Sequence, residues 1–123
     1  MDNLEIEDWF AGLGVVTIKR LFGGKAVYFD GLIVGIVRRD GELLLKGDAE
    51  TAPRFEAAGA TRWVHTDKSG KIAPMPYWTV PADAFDDPES MAAWVKLAAG
   101  AAKRADMHKR GIGAAGSKRS AMP

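Results

Sequence analysis

Residues 15–47 restrict the fold of this chain more than any other stretch. Four short apolar runs are separated there by Gly23-Gly24, Asp30-Gly31 and Asp40-Gly41. Gly-Gly and Asp-Gly supply the positive φ angles that tight hairpin turns need. The runs are rich in Val, Ile, Leu, Phe and Tyr and too short for helices, so the stretch predicts an antiparallel meander of four strands. In the first strand Val16, Ile18 and Phe22 alternate with Thr17 and Lys19, so one face is covered and one is wetter. The third run, Leu32-Ile33-Val34-Gly35-Ile36-Val37, is apolar on both faces and belongs in the middle of a sheet. Gly35 inside it predicts a bulge or the close approach of another group.

The flanks read as helices and two more strands. Asp2 or Asn3 can cap a helix through Ala11, with Ile6, Trp9, Phe10 and Leu13 on one stripe. Pro53 in a first turn, Phe55 as the apolar anchor and Gly59 as the stop mark a second helix. Arg62-Trp63-Val64-His65-Thr66 forms a fifth strand. After a turn at Asp67-Lys68-Ser69-Gly70, an extended segment runs from Lys71 to Pro81. Pro74, Pro76 and Pro81 cannot donate ladder bonds, which predicts an edge or irregular strand. Asp87 as cap with Pro88 at the first position starts the last helix, whose stripe includes Met91, Trp94, Val95, Ala98 and Ala102. The order α-β(4)-α-β(2)-α predicts a two-layer α+β domain with a mostly antiparallel sheet and helices on one main face.

With 123 residues the chain suffices for one domain, expected over residues 1–106 and followed by a flexible basic tail at 107–123. Residues 1–102 carry 11 Lys and Arg against 15 Asp and Glu, a balance of −4. Residues 103–123 carry six Lys and Arg against one Asp, a balance of +5. The absence of cysteine excludes disulfides, thiolate zinc sites and a cysteine nucleophile, and fits a cytoplasmic protein. No secretory signal is visible, and no apolar run approaches the ~20 residues that a bilayer-spanning helix needs.

No catalytic constellation emerges. Gly23-Gly24-Lys25 joins two strands instead of opening a helix, so it is a hairpin turn and not a phosphate loop. His65 and His108 fall on different elements with no acid at ligand spacing. Asp30, Asp40 and Asp67 belong to turns, and no serine sits in a nucleophile elbow. Neither a cofactor nor a metal is expected.

Several motifs, taken in order, are familiar. Arg20-Leu-Phe-Gly-Gly-Lys-Ala-Val-Tyr28, Asp30-Gly31, Asp40-Gly41-Glu-Leu-Leu-Leu-Lys-Gly-Asp48, Thr51-Ala-Pro-Arg-Phe55 and Tyr77-Trp-Thr-Val-Pro81, followed by Asp87-Pro88, resemble the TfoX/Sxy N-terminal domain family over residues 6–105. The resemblance implies a two-layer, secretion-chaperone-like α+β fold and a tendency to form homodimers. It also implies kinship with bacterial regulators of natural competence genes, which act with the cyclic-AMP receptor protein in some species. Longer members carry a second, helical C-terminal domain where this sequence has a short basic tail. The family supplies no catalytic residues.

The expectation is therefore a non-enzymatic, homodimeric interaction module in transcription regulation, with an unidentified regulatory protein as partner. Its candidate contact surfaces are Leu32, Val34 and Ile36 on the third strand and the aromatic pair Tyr77 and Trp78. An alternative is a nucleic-acid-associated regulator whose phosphate contacts are Lys103, Arg104, Lys109, Arg110, Lys118 and Arg119. A third reading, a small enzyme or ligand-binding protein, needs a pocket where Lys46, Asp48 and Tyr77 converge.

Overall fold

The computed structural model describes residues 2–111. It runs α1 (Asn3–Trp9), β1 (Thr17–Leu21), β2 (Gly24–Phe29), β3 (Leu32–Val37), β4 (Leu43–Lys46), α2 (Ala52–Ala57), β5 (Arg62–Thr66), β6 (Ile72–Thr79), a 3₁₀ turn (Ala82–Asp86) and α3 (Pro88–Lys109). The six strands form one antiparallel sheet in the order β1-β2-β3-β4-β6-β5. The predicted α+β order is the observed one.

The first hairpin turn lies one residue earlier than the Gly-Gly pair suggests. Leu21 pairs with Gly24, leaving Phe22 and Gly23 as the turn at φ +46° and +83°. Phe22 therefore leaves the apolar stripe expected for it and stands in solvent. The turn at Asp30-Gly31 has the same form, with φ +53° and +78° between paired Phe29 and Leu32. Positive φ at both positions is the signature of the two-residue turn that matches strand twist.

Gly35 answers both expectations made for it. The β2–β3 register shifts at Val27 and Tyr28, leaving Val34 as the extra residue of a bulge. A Cβ on Gly35 would lie 3.0 Å from Phe10 Cζ, so the first helix's anchor presses onto the strand there.

The segment after residue 71 is the irregular strand of the two alternatives and not an edge: its register with β5 shifts between the Arg62–Trp78 and Val64–Pro74 pairs. β6 lies between β4 and β5, and the sheet edges are β1 and β5. The prolines are accommodated because β4 pairs only with Tyr77, Trp78 and Thr79. Gly47 N–H donates to Pro76 C=O at 2.9 Å, and proline has no N–H to return, so that ladder ends there.

All three helices pack on one face. Ile6, Phe10, Phe55, Met91, Val95, Ala98 and Ala102 meet Val27, Val34, Val37, Leu43, Leu45 and Trp78 in the main core. Phe55 stacks on Trp78 at 5.5 Å between ring centroids and 9° between planes, and lies 5.0 Å from Trp94. Asp87 caps α3 by accepting from the N–H groups of Glu89 and Ser90. That helix continues to Lys109, so its last turns include residues 107–109, which were expected to begin the tail. The remainder of that tail, 112–123, lies outside the described residues.

Candidate interaction surface

Among the described residues, no helix covers the second face of the sheet. Its apolar cluster is built by Ile36, Leu44 and Tyr77, with Leu21, Ile33, Trp63 and Met75 packed around them, all from the strands. Register explains the set: Ile36 pairs with Leu44, and Tyr77 pairs with Lys46 two residues further along β4, so these side chains share one side. Long cations shield the cluster in place of a helix. Lys19 Nζ lies 5.2 Å from the centre of the Tyr28 ring, Lys46 Nζ 5.2 Å from Tyr77, and Arg38 Cζ 6.0 Å from Trp63. Their aliphatic stems cover apolar surface while their charges sit over ring faces.

This burial shifts the ionisation of the pair at the β4 end. Partial burial lowers the Lys46 ammonium from its usual value, with Asp48 opposing the shift. Burial pushes the Tyr77 phenol up, helped by Tyr28.

A groove of about 610 Å³ opens on this face beside the Phe22-Gly23 turn. Leu21, Ile36 and Val37 contribute its floor, Phe22 and Trp63 its aromatic walls, and Arg38, Arg39 and Asp40 its polar rim. Phe22 is 95% exposed. Arg38 is occupied by Glu42 and by Asp40 at 3.7 Å, and its buried Nε has no hydrogen-bond partner among the described residues. Arg39 makes no ion pair among the described residues. A Cβ on Gly23 would fall 2.7 Å from the Arg39 Nε and Nη2 atoms, so the guanidinium lies directly on the turn.

A separate polar junction forms on the helix side, after β4. Arg104 donates to Asp48 through Nε to Oδ2 at 2.7 Å and Nη2 to Oδ1 at 3.2 Å, and Nη1 reaches Glu50 at 3.2 Å. Asp48 Oδ1 also accepts from Thr51 N–H at 3.1 Å. The Arg104 hydrogen bond above all, with those from Thr51, holds the Asp48 carboxyl below the usual carboxylate range. Beside it, a depression of about 450 Å³ is lined by Lys46, Asp48, Arg62 and Trp78 among others.

The sequence-predicted residues divide between these places. Ile36 and Tyr77 lie on the helix-free face, whereas Leu32, Val34 and Trp78 belong to the helix-side core. The bulge at Val34 turns Leu32 and Val34 inward and leaves Ile33 on the open face. Lys46 approaches both Asp48 and Tyr77, but Tyr77 does not line the depression that Lys46 and Asp48 share. Of the basic residues, Arg104 is consumed by Asp48 and Glu50, and Arg110 pairs with Asp106 at 3.2 Å. Lys103 and Lys109 are exposed, and Lys118 and Arg119 lie outside the described residues. Sequence reasoning missed Phe22 and Arg39 as groove residues. An available signal was the aromatic residue next to the glycine of a two-residue turn, where Asn or Asp is the usual choice. Among the described residues no group of three His, Asp or Glu side chains could hold a metal ion. Nor is any described helix long and apolar enough to cross a membrane.

The fold and surface define a class: a small α+β domain with one helix-covered sheet face and one open, cation-shielded face. The TfoX N-terminal domain matches residues 8–102, and the chain belongs to that family. No curated protein matches the chain.

Proposed function

We propose that this domain is a non-enzymatic interaction module in bacterial regulation, related in role to TfoX-type regulators of DNA competence and working in the cytoplasm as a homodimer. The observation that carries this reading is the open sheet face, where an apolar cluster and an aromatic-walled groove have no covering helix among the described residues. A single domain gains little by keeping Phe22 in water at a positive φ, and a contact surface supplies a reason for it. Family membership supports the regulatory side of the proposal.

Light scattering coupled to size exclusion, from low to high micromolar protein, tests the dimer. Affinity capture with the wild-type chain and with Trp63→Ala tests the regulatory partner and the open face together. A chain that stays monomeric and captures nothing that depends on Trp63 overturns the proposal.

A second reading keeps nucleic acid as the partner, through Lys103 and Lys109, which are exposed near the α3 C-terminus. It predicts salt-sensitive DNA binding that weakens in the Lys103→Ala, Lys109→Ala double variant. Arg104 and Arg110 contribute less to it, since their guanidinium groups already hold carboxylates.

A further inference from the structure

We infer that a second copy of this chain pairs with the free edge of β1, strand against strand about a two-fold axis centred on Ile18, joining the two six-stranded sheets into one. The inference rests on the homodimer reading above and specifies its geometry. β1 is one end of the sheet, and among the described residues no strand pairs with its outer side. Its ladder to β2 runs through all five residues without a register shift. Leu21 and Gly24 close a two-residue turn and so form a hydrogen-bonded pair. Alternation along the ladder then turns the N–H and C=O groups of Ile18 and Arg20 outward, a template for another strand. The opposite edge is less suited to this, because the register of β5 with β6 shifts between Arg62 and Val64.

The two most exposed large apolar side chains among the described residues bracket β1: Val15 at 91% and Phe22 at 95%. A two-fold axis normal to the sheet keeps like faces together, so opposed residues differ by an even number. Centring it on Ile18 sets Ile18 against Ile18, Lys19 against Thr17 and Leu21 against Val15, and it brings Phe22 over Gly14. A Cβ on Gly14 would meet nothing within 4 Å, so there is room for the ring, and an aromatic side chain over a strand-edge glycine is a favourable cover.

Neighbouring registers do worse. Centring on Lys19 opposes two lysines, and centring on Thr17 sets Val15 against Lys19. In the Ile18 register Lys19 meets a hydroxyl, and its ammonium stays 5.2 Å from the centre of its own Tyr28 ring. Both exposed apolar side chains are covered by one symmetry operation. A seam of one strand and two rings falls short of the roughly 800 Å² per partner of a standard interface, which predicts a reversible, micromolar dimer. The helices of both copies lie on one side of the joined sheet, and the two grooves beside Phe22 open together on the other.

The test measures the dimer dissociation constant of the full chain by sedimentation or light scattering. Val15→Asp and Phe22→Asn each weaken the dimer about 30-fold or more, the loss typical of a central apolar anchor. Arg20→Pro does the same while circular dichroism stays native, because it removes an N–H that only the seam uses. The register is read with cysteine, of which the chain has none. Thr17 and Lys19 face each other across the seam as a non-hydrogen-bonded pair, about 4.5 Å apart between Cα atoms and within disulfide reach. A mixture of Thr17→Cys and Lys19→Cys chains therefore oxidises to the mixed dimer, and neither chain alone does so. A wild-type dimer unmoved by the substitutions, or one that yields no mixed disulfide, overturns the seam and leaves the homodimer reading standing. A wild-type chain monomeric at high micromolar concentration overturns the homodimer reading and the seam with it. Slow amide exchange at Ile18 and Arg20 that appears only when another protein is added assigns the edge to a foreign strand and overturns the second-copy proposal.

Discussion

Arg104 grips Asp48 with two hydrogen bonds, 2.7 and 3.2 Å long, joining residues 56 positions apart in the chain. The pair fastens the loop between β4 and α2 to α3, and Thr51, 2% exposed beneath it, completes the knot through Asp48. Both charged side chains remain partly solvated, so the pair behaves as a surface bridge with better than usual geometry.

Removing the arginine checks that assessment. Arg104→Met is expected to destabilise the domain by about 1 kcal/mol in urea unfolding, near the top of the range for exposed pairs. Asp48→Ala costs more, because Asp48 Oδ1 also accepts from the Thr51 N–H and hydroxyl, and both lose that carboxylate.

The same carboxylate sets a pH dependence. The folded Asp48 pKa lies below its unfolded value. Its stabilisation is therefore complete above the unfolded pKa, about 4, and is lost as pH falls through the folded value. Unfolding free energy measured from pH 6 downward should fall more gently below about pH 4 in Asp48→Asn than in the parent. Identical slopes in the two proteins would reject the coupling.

Phe22 occupies a left-handed position at φ +46°, where a bulky side chain is strained and asparagine is favoured. Since the ring is almost wholly exposed, Phe22→Asn forfeits no core contact. The monomer should gain about 0.5–1 kcal/mol, read as a higher urea midpoint at protein concentrations too low for association.

Gly47 touches the aromatic centre of the core. A Cβ there would lie 2.6 Å from Trp78 Cδ1 and 3.3 Å from Phe55 Cε2. Neither ring can retreat, because each is stacked on the other. Gly47→Ala should cost about 1–3 kcal/mol and alter the near-ultraviolet tryptophan signal, the mark of an overpacked core.

The two faces of the sheet should also respond unequally. Phe55→Ala empties a fully buried site and is expected to cost about 3–5 kcal/mol. Trp63→Ala strips a half-exposed side chain from the open face, and thermal unfolding should register a much smaller loss.

What could be read directly from the chain was local. Asp30-Gly31, the Asp87-Pro88 start of α3, and Pro53 with Gly59 around α2 each act within a few residues, through positive φ, a side-chain cap or a missing N–H. Those signals suffice for the element order and the α+β class. The exception at Phe22 follows the same physics: two adjacent glycines permit either of two turns one residue apart, and the chain took the one that returns Gly24 to the ladder.

Local chemistry is silent about partners distant in sequence, and there the tertiary structure decided. β6 is an inner strand because it pairs with β4 and β5, and its prolines are tolerated because β4 pairs only with Tyr77, Trp78 and Thr79. A one-residue bulge sent Leu32 and Val34 to the helix side while Ile36 stayed on the open face, since side chains alternate and one extra residue reverses the pattern. Arg104 was taken from the basic C-terminal set by a carboxylate that only folding brings within reach. Backbone preference is settled residue by residue, whereas register, burial and charge pairing are settled between segments that meet only once the chain has closed on itself.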